Sequence, residues 1–143
     1  MEARVRWVED RTFVGASGSG HKIVFGAPSD NGPKPGPSPM ELVLIGTGGC
    51  SAYDVVSILE KGREPVDSVE VALDADRAGT DPKVFTRIHM QFTVRGRGVN
   101  PAKVARAIEL SVGKYCSASA MMAKSAEVTH GFEVVETGAR PET

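Results

Sequence analysis

Polar and apolar side chains alternate along both ends of this chain, and between them runs a stretch with almost no polar side. Residues 3 to 8, "ARVRWV", set small or apolar side chains against Arg4 and Arg6. Residues 12 to 16, "TFVGA", follow the charged turn "EDR". Residues 21 to 26, "HKIVFG", follow the turn "SGSG". A period of two over short runs joined by tight turns predicts an antiparallel meander of three strands. Residues 26 to 39 then hold five prolines and three glycines, where no regular element can form. The preceding 25 residues are too few for a domain, so this is read as a long surface loop rather than a linker.

The stretch with no polar side is a helix over residues 39 to 61. Ser38 at the N-cap, Pro39 at the first position and Glu41 three residues after the cap predict a capping box, and Gly62 predicts the stop. Apolar residues go round it: Leu42, Val43, Leu44, Ile45, Ala52, Tyr53, Val55, Val56, Ile58 and Leu59. Such a helix is buried, and in a chain this short a partner subunit is needed to cover part of it. Alternation returns in residues 68 to 77, with Val69, Val71, Leu73 and Ala75 on one face. Residues 83 to 97 follow, with Val84, Ile88, Met90, Phe92 and Val94 on one face and Thr86 as the one polar exception. Asn100 and Pro101 open a second helix with the stripe Val104, Ala105, Ile108 and Val112, interrupted at Gly113. A shorter helical piece with Met121 and Met122 in the core, and a last strand over "EVTHGFEVVE", complete the order β-β-β-α-β-β-α-α-β. That order is α+β, with sheets packed on central helices.

Composition narrows the function. Hydrophobic residues at 41% and charged residues at 24% describe a globular chain of one domain, residues 1–143. A net charge of −1 gives no electrostatic basis for binding nucleic acid or a membrane surface. No apolar run is read as long enough to span a membrane. The charged N-terminus has no signal-peptide core. The expected compartment is the cytoplasm, where thiols are kept reduced.

The chemistry then rests on two cysteines, Cys50 in "GGCSA" and Cys116 in "KYCSASA". Gly46, Gly48 and Gly49 each weaken the helix by about 0.5–1 kcal/mol, and they thin the packing beside Cys50. That space suits a partner helix, a small substrate or both. Asp54 follows Cys50 by one turn and disfavours its thiolate. A free cysteine is also a common inert core residue, so the residues alone leave a redox pair and two packed hydrophobes both open. His21, His89 and His130 have no metal-ligand spacing and read as structural.

Three blocks carry a family resemblance: "SPMELVLIGTGGCSAYDVV" around Cys50, "DPKVFTRIHMQF" on the long strand and "KYCSASAMMAKSAEVTH" around Cys116. In order and spacing they resemble the OsmC/Ohr family of osmotically inducible and organic-hydroperoxide-resistance proteins, in particular its YhfA-like branch, over nearly the whole chain. The resemblance implies antiparallel sheets packed on two long central helices in an intertwined homodimer. It also implies a thiol peroxidase that reduces organic hydroperoxides in oxidative and osmotic stress, with Cys50 attacking and Cys116 resolving. An external dithiol would restore the pair, with no metal or organic cofactor. The hydroperoxide-specific members carry a glutamate where this chain has Met40, and Glu41 reads as a cap. They also hold the thiolate with an arginine from the early strands, for which Arg11 is the candidate. The alternative reading is a dimer that binds a small apolar ligand between subunits without turning it over.

Overall fold

The computed structural model describes residues 1–28 and 30–138 and divides into two compact units, residues 1–45 and 46–143. In the first unit β1 (Ala3–Glu9), β2 (Thr12–Ser17) and β3 (Lys22–Gly26) form the expected antiparallel meander in the order β1-β2-β3. Phe13 and Phe25 stack across β2 and β3 with ring centroids 5.8 Å apart. Trp7 is 64% exposed, and Val5, Val8, Ile23 and Val24 are exposed with it. The proline-rich loop folds back along β3, where the Gly26 amide donates to the Pro37 carbonyl (3.0 Å). Gly36 lies against the Val24 carbonyl so closely that a side chain there would displace backbone.

Helix α1 (Pro39–Lys61) begins in the first unit and ends in the second. Its capping box is formed as expected: the Glu41 amide donates to Ser38 Oγ (3.1 Å) and the Ser38 amide to Glu41 Oε1 (3.2 Å). At its end the Glu64 amide reaches the Leu59 carbonyl and the Arg63 amide the Glu60 carbonyl. This is the paired closure in which one residue turns left-handed. Arg63, at φ 56°, takes that conformation in place of the neighbouring glycine. Contrary to the expectation from the apolar runs, α1 is long and apolar enough to cross a membrane by length and composition alone. Within the second unit its buried residues are Thr47, Gly48, Ser51, Val55 and Leu59, the 3.6-residue stripe of a core-facing helix. A side chain at Gly48 would press into Leu73, which places this stripe over the sheet. Val43, Ile45 and Tyr53 are exposed in the single chain, so the helix is not buried all round.

The second unit is built on β4 (Val66–Arg77), β5 (Phe85–Gly96) and β6 (Glu127–Glu136), in that order. β4 and β5 pair antiparallel, as expected, but β6 runs parallel to β5, so this sheet is mixed. A parallel neighbour needs a long crossover, supplied here by α2 (Pro101–Leu110), the wide π turn Ser111–Tyr115 and α3 (Ser117–Met122). β5 is the central strand, with Ile88, Met90, Phe92 and Val94 wholly buried. The register shifts between Asp76 and Arg77. This bulge absorbs Thr86, so Phe85 joins the buried face and Val84 is left outside. Val104, Ala107 and Ile108 bury α2, which ends at Leu110, so the interruption expected at Gly113 begins at Ser111 and takes in Val112 as well. Met121, expected in the core, is exposed.

The start of α2 is tied to the end of α1. Asn100 caps the Ala102 amide through its side chain (2.9 Å), and Glu64 Oε2 accepts from the Asn100 amide (2.9 Å). Lys103 Nζ lies 2.9 Å from Glu64 Oε1. The Asn100 amide first, and then Lys103, hold the Glu64 carboxyl below its ordinary value. A lowered folded-state value stabilises the fold above the unfolded value near 4.5, and that contribution is lost as pH falls through the folded value. Glu64→Gln is therefore expected to lower thermal stability at pH 7 and to flatten its decline below about pH 4.5. Parallel acid limbs in melting curves of the two proteins would remove Glu64 from this role.

Candidate functional site

The wide turn is what delivers Cys116. In a π turn the hydrogen bond spans five residues instead of four, and here the Cys116 amide donates to the Ser111 carbonyl (2.8 Å). Cys116 then leaves the helix in an extended conformation (φ −73°, ψ 103°) and becomes the cap of α3. Its sulfur takes the place of a capping oxygen. Sγ accepts from the Ser119 amide at 3.3 Å and from Ser119 Oγ at 3.1 Å, and it approaches the Thr47 carbonyl at 4.0 Å.

The structure brings the two cysteines together. The Cys50 thiol is near enough to Cys116 to act on its protonation, and both are free thiols. Their settings differ: Cys50 is half-buried, whereas Cys116 is 2% exposed. Burial pushes the Cys116 thiol up, the two donors of Ser119 pull the other way, and the neighbouring Cys50 thiol pushes up again. The net shift is upward, so Cys116 is a neutral thiol at pH 7.

Behind the pair lies a polar cluster that the sequence reading did not single out. Ser51 Oγ and Ser111 Oγ are 2.9 Å apart and both wholly buried. The Ser111 hydroxyl is 3.0 Å from Asp54 Oδ2 and 3.3 Å from the Ser51 carbonyl. Asp54, one turn beyond Cys50, has its carboxylate on Ser111. The cluster fixes the turn that carries Cys116 to the helix that carries Cys50. Ser111, five residues before Cys116, carries no local signal in the sequence, whereas Ser119 follows Cys116 by three, the spacing at which a cap meets its donor.

Gly46 and Gly49 differ from Gly48. A side chain at either would meet nothing within 4 Å, so the space expected beside Cys50 is open. Glu41 is committed to the cap and to Lys34, 3.5 Å away. Arg11 belongs to the first unit, in the turn between β1 and β2. It is exposed, and its guanidinium donates to the Asp10 carbonyl (3.1 Å). His21 and His89 are held by neighbouring hydroxyls: Ser19 Oγ is 3.0 Å from His21 Nδ1 and Thr129 Oγ1 is 2.8 Å from His89 Nδ1.

Residues 30–131 match the family model described as OsmC-like protein. The chain is 50% identical over 135 residues to Protein YhfA of Escherichia coli strain K12, an alignment covering 94% of this chain and 98% of that protein. The crystal structure of a hypothetical protein from Aquifex aeolicus VF5 superposes with a TM-score of 0.84 at 29% identity, covering 96% of this chain and 97% of that one. An organic hydroperoxide resistance protein OsmC from Legionella pneumophila shares the fold with a TM-score of 0.66 at 14% identity, over 93% of this chain and 96% of that one.

Proposed function

Since the chain belongs to the OsmC-like protein family, we propose that it is a thiol peroxidase that reduces organic hydroperoxides through Cys50 and Cys116, in cytoplasmic defence against oxidative and osmotic stress. One observation carries the reading: two free thiols lie within reach of each other, the half-exposed one beside open space and the buried one behind it. An attacking thiol has to meet substrate and a resolving thiol has only to meet its partner.

The steps follow from that asymmetry. The Cys50 thiolate attacks the terminal oxygen of the hydroperoxide, the O–O bond breaks, and the departing alkoxide takes a proton and leaves as alcohol. Cys50 is then a sulfenic acid. The Cys116 sulfur attacks the Cys50 sulfur, and its proton leaves with the hydroxyl as water. The resulting disulfide is reduced by an external dithiol. The raised value of Cys116 suits a thiol that keeps its proton until that second step. A second copy of the chain covers the exposed side of α1 and leaves the space beside Gly46 and Gly49 as a pocket that substrate can enter. Arg11 is the candidate cation for the Cys50 thiolate, because reactive thiolates need positive neighbours.

The test is a titration of the reduced protein with cumene hydroperoxide, counting thiols. Rapid stoichiometric loss of both is expected, and Arg11→Ala is expected to slow it by about tenfold or more. Loss of thiols at an unchanged rate in that variant would clear Arg11 alone. Retained thiols in the parent protein would sink the peroxidase reading. The ligand-binding alternative would then lead, favoured by Met40 at the position where hydroperoxide-specific members place an acid.

A further inference from the structure

Both donors of Ser119 are committed to one sulfur. The residue is 2% exposed, and both its amide and its hydroxyl point at Cys116 Sγ, at 3.3 and 3.1 Å. Nothing in the oxidation of Cys50 calls for two donors there, since Cys116 enters that step as a nucleophile, and hydrogen bonds to a thiolate make it a poorer one. The return step is different. When an external thiol opens the disulfide, one sulfur receives the new bond and the other departs with the electron pair, and a lower-energy departing thiolate leaves faster.

Access decides which sulfur is which. Cys50 is half-buried, beside positions where a side chain would meet nothing within 4 Å, while Cys116 is 2% exposed. We infer that the incoming dithiol attacks Cys50 and that Ser119 is a further catalytic residue, which stabilises Cys116 as the leaving thiolate. The inference rests on the Cys50–Cys116 pair being the redox couple proposed above. In the first step a reductant thiolate bonds to Cys50 Sγ, the S–S bond breaks, and its electron pair goes to Cys116 Sγ between the Ser119 donors. In the second, the other thiol of the reductant, deprotonated, attacks its own sulfur in the mixed disulfide and Cys50 departs as thiolate. The reductant ends as a cyclic disulfide, two electrons have passed to the protein, and its two protons complete the protein thiols.

The experiment needs no hydroperoxide. The full-length protein is oxidised with diamide and its reduction by dithiothreitol is followed by stopped flow. Ser119→Ala is expected to be reduced roughly three- to tenfold more slowly, and Ser119→Thr, which keeps the hydroxyl, to recover most of the rate. In the parent protein, glutathione, which cannot complete the second step, is expected to be found by acid quench and peptide mapping on Cys50. Glutathione on Cys116, an unchanged rate in Ser119→Ala, or thiols that diamide fails to join would each overturn the inference. Should Ser119→Ala fail to fold, the position of glutathione on the parent protein still decides it. A parent protein that ignores hydroperoxides yet passes this test would sink the peroxidase reading and leave the role of Ser119 standing.

Discussion

Cys50→Ser is expected to abolish hydroperoxide consumption, and Cys116→Ser is expected to stop the protein after one oxidation with a sulfenic acid on Cys50. The asymmetry comes from exposure and not from residue type. Cys50 is half-buried and next to open space, whereas Cys116 lies behind it with its sulfur held by Ser119. A serine at position 50 leaves no nucleophile that a hydroperoxide can reach, so the residual rate should equal that of buffer. A serine at 116 leaves the first step intact and removes the group that condenses with the sulfenic acid. Trapping with dimedone and mass spectrometry reads both outcomes. Dimedone on residue 116 in the Cys50→Ser protein, with peroxide still consumed, would reverse the roles. Full activity in both variants would end the thiol mechanism.

The second large effect concerns assembly. No folded monomer is expected in sedimentation at low micromolar concentration. Ile45 is 60% and Tyr53 74% exposed on α1, and the meander of the first unit also exposes large apolar residues. A three-stranded sheet and a helix this apolar need cover that one copy does not provide, and a second copy presents surfaces of the same kind. An aspartate placed in such a contact costs about 3 kcal/mol or more as a buried unpaired charge. Ile45→Asp with Tyr53→Asp should therefore weaken association at least a hundredfold. A stable parent monomer would remove the intersubunit cover from the mechanism.

Much of the fold was legible because its elements carry their own signals. The capping box of Ser38 and Glu41 marks the start of α1 at Pro39, and alternation marks β4 and β5. What stayed hidden depends on partners far along the chain. The period of two puts Val84 on the inner face of β5. The structure puts Phe85 there, because a bulge at Thr86 resets the alternation and a bulge is a property of two strands. The direction of β6 is set by the crossover that feeds it and leaves no trace in "EVTHGFEVVE". At the site, both cysteines stand out as rare residues, whereas Ser51, Ser111 and Ser119 look like ordinary small polar positions. Their importance comes from burial, which leaves each hydroxyl no water to bond. Arg11 carries no local signal that separates it from Arg4 or Arg6.

The wide turn Ser111–Tyr115 makes the pairing of the two sulfurs a matter of chain length as well as of residue identity. One residue rotates a helix by about 100°, so a chain shorter by one residue in this segment would keep both cysteines in its sequence and aim the second one elsewhere. Removing one residue between Ser111 and Cys116 is therefore expected to part the two sulfurs as a substitution at position 50 or 116 would.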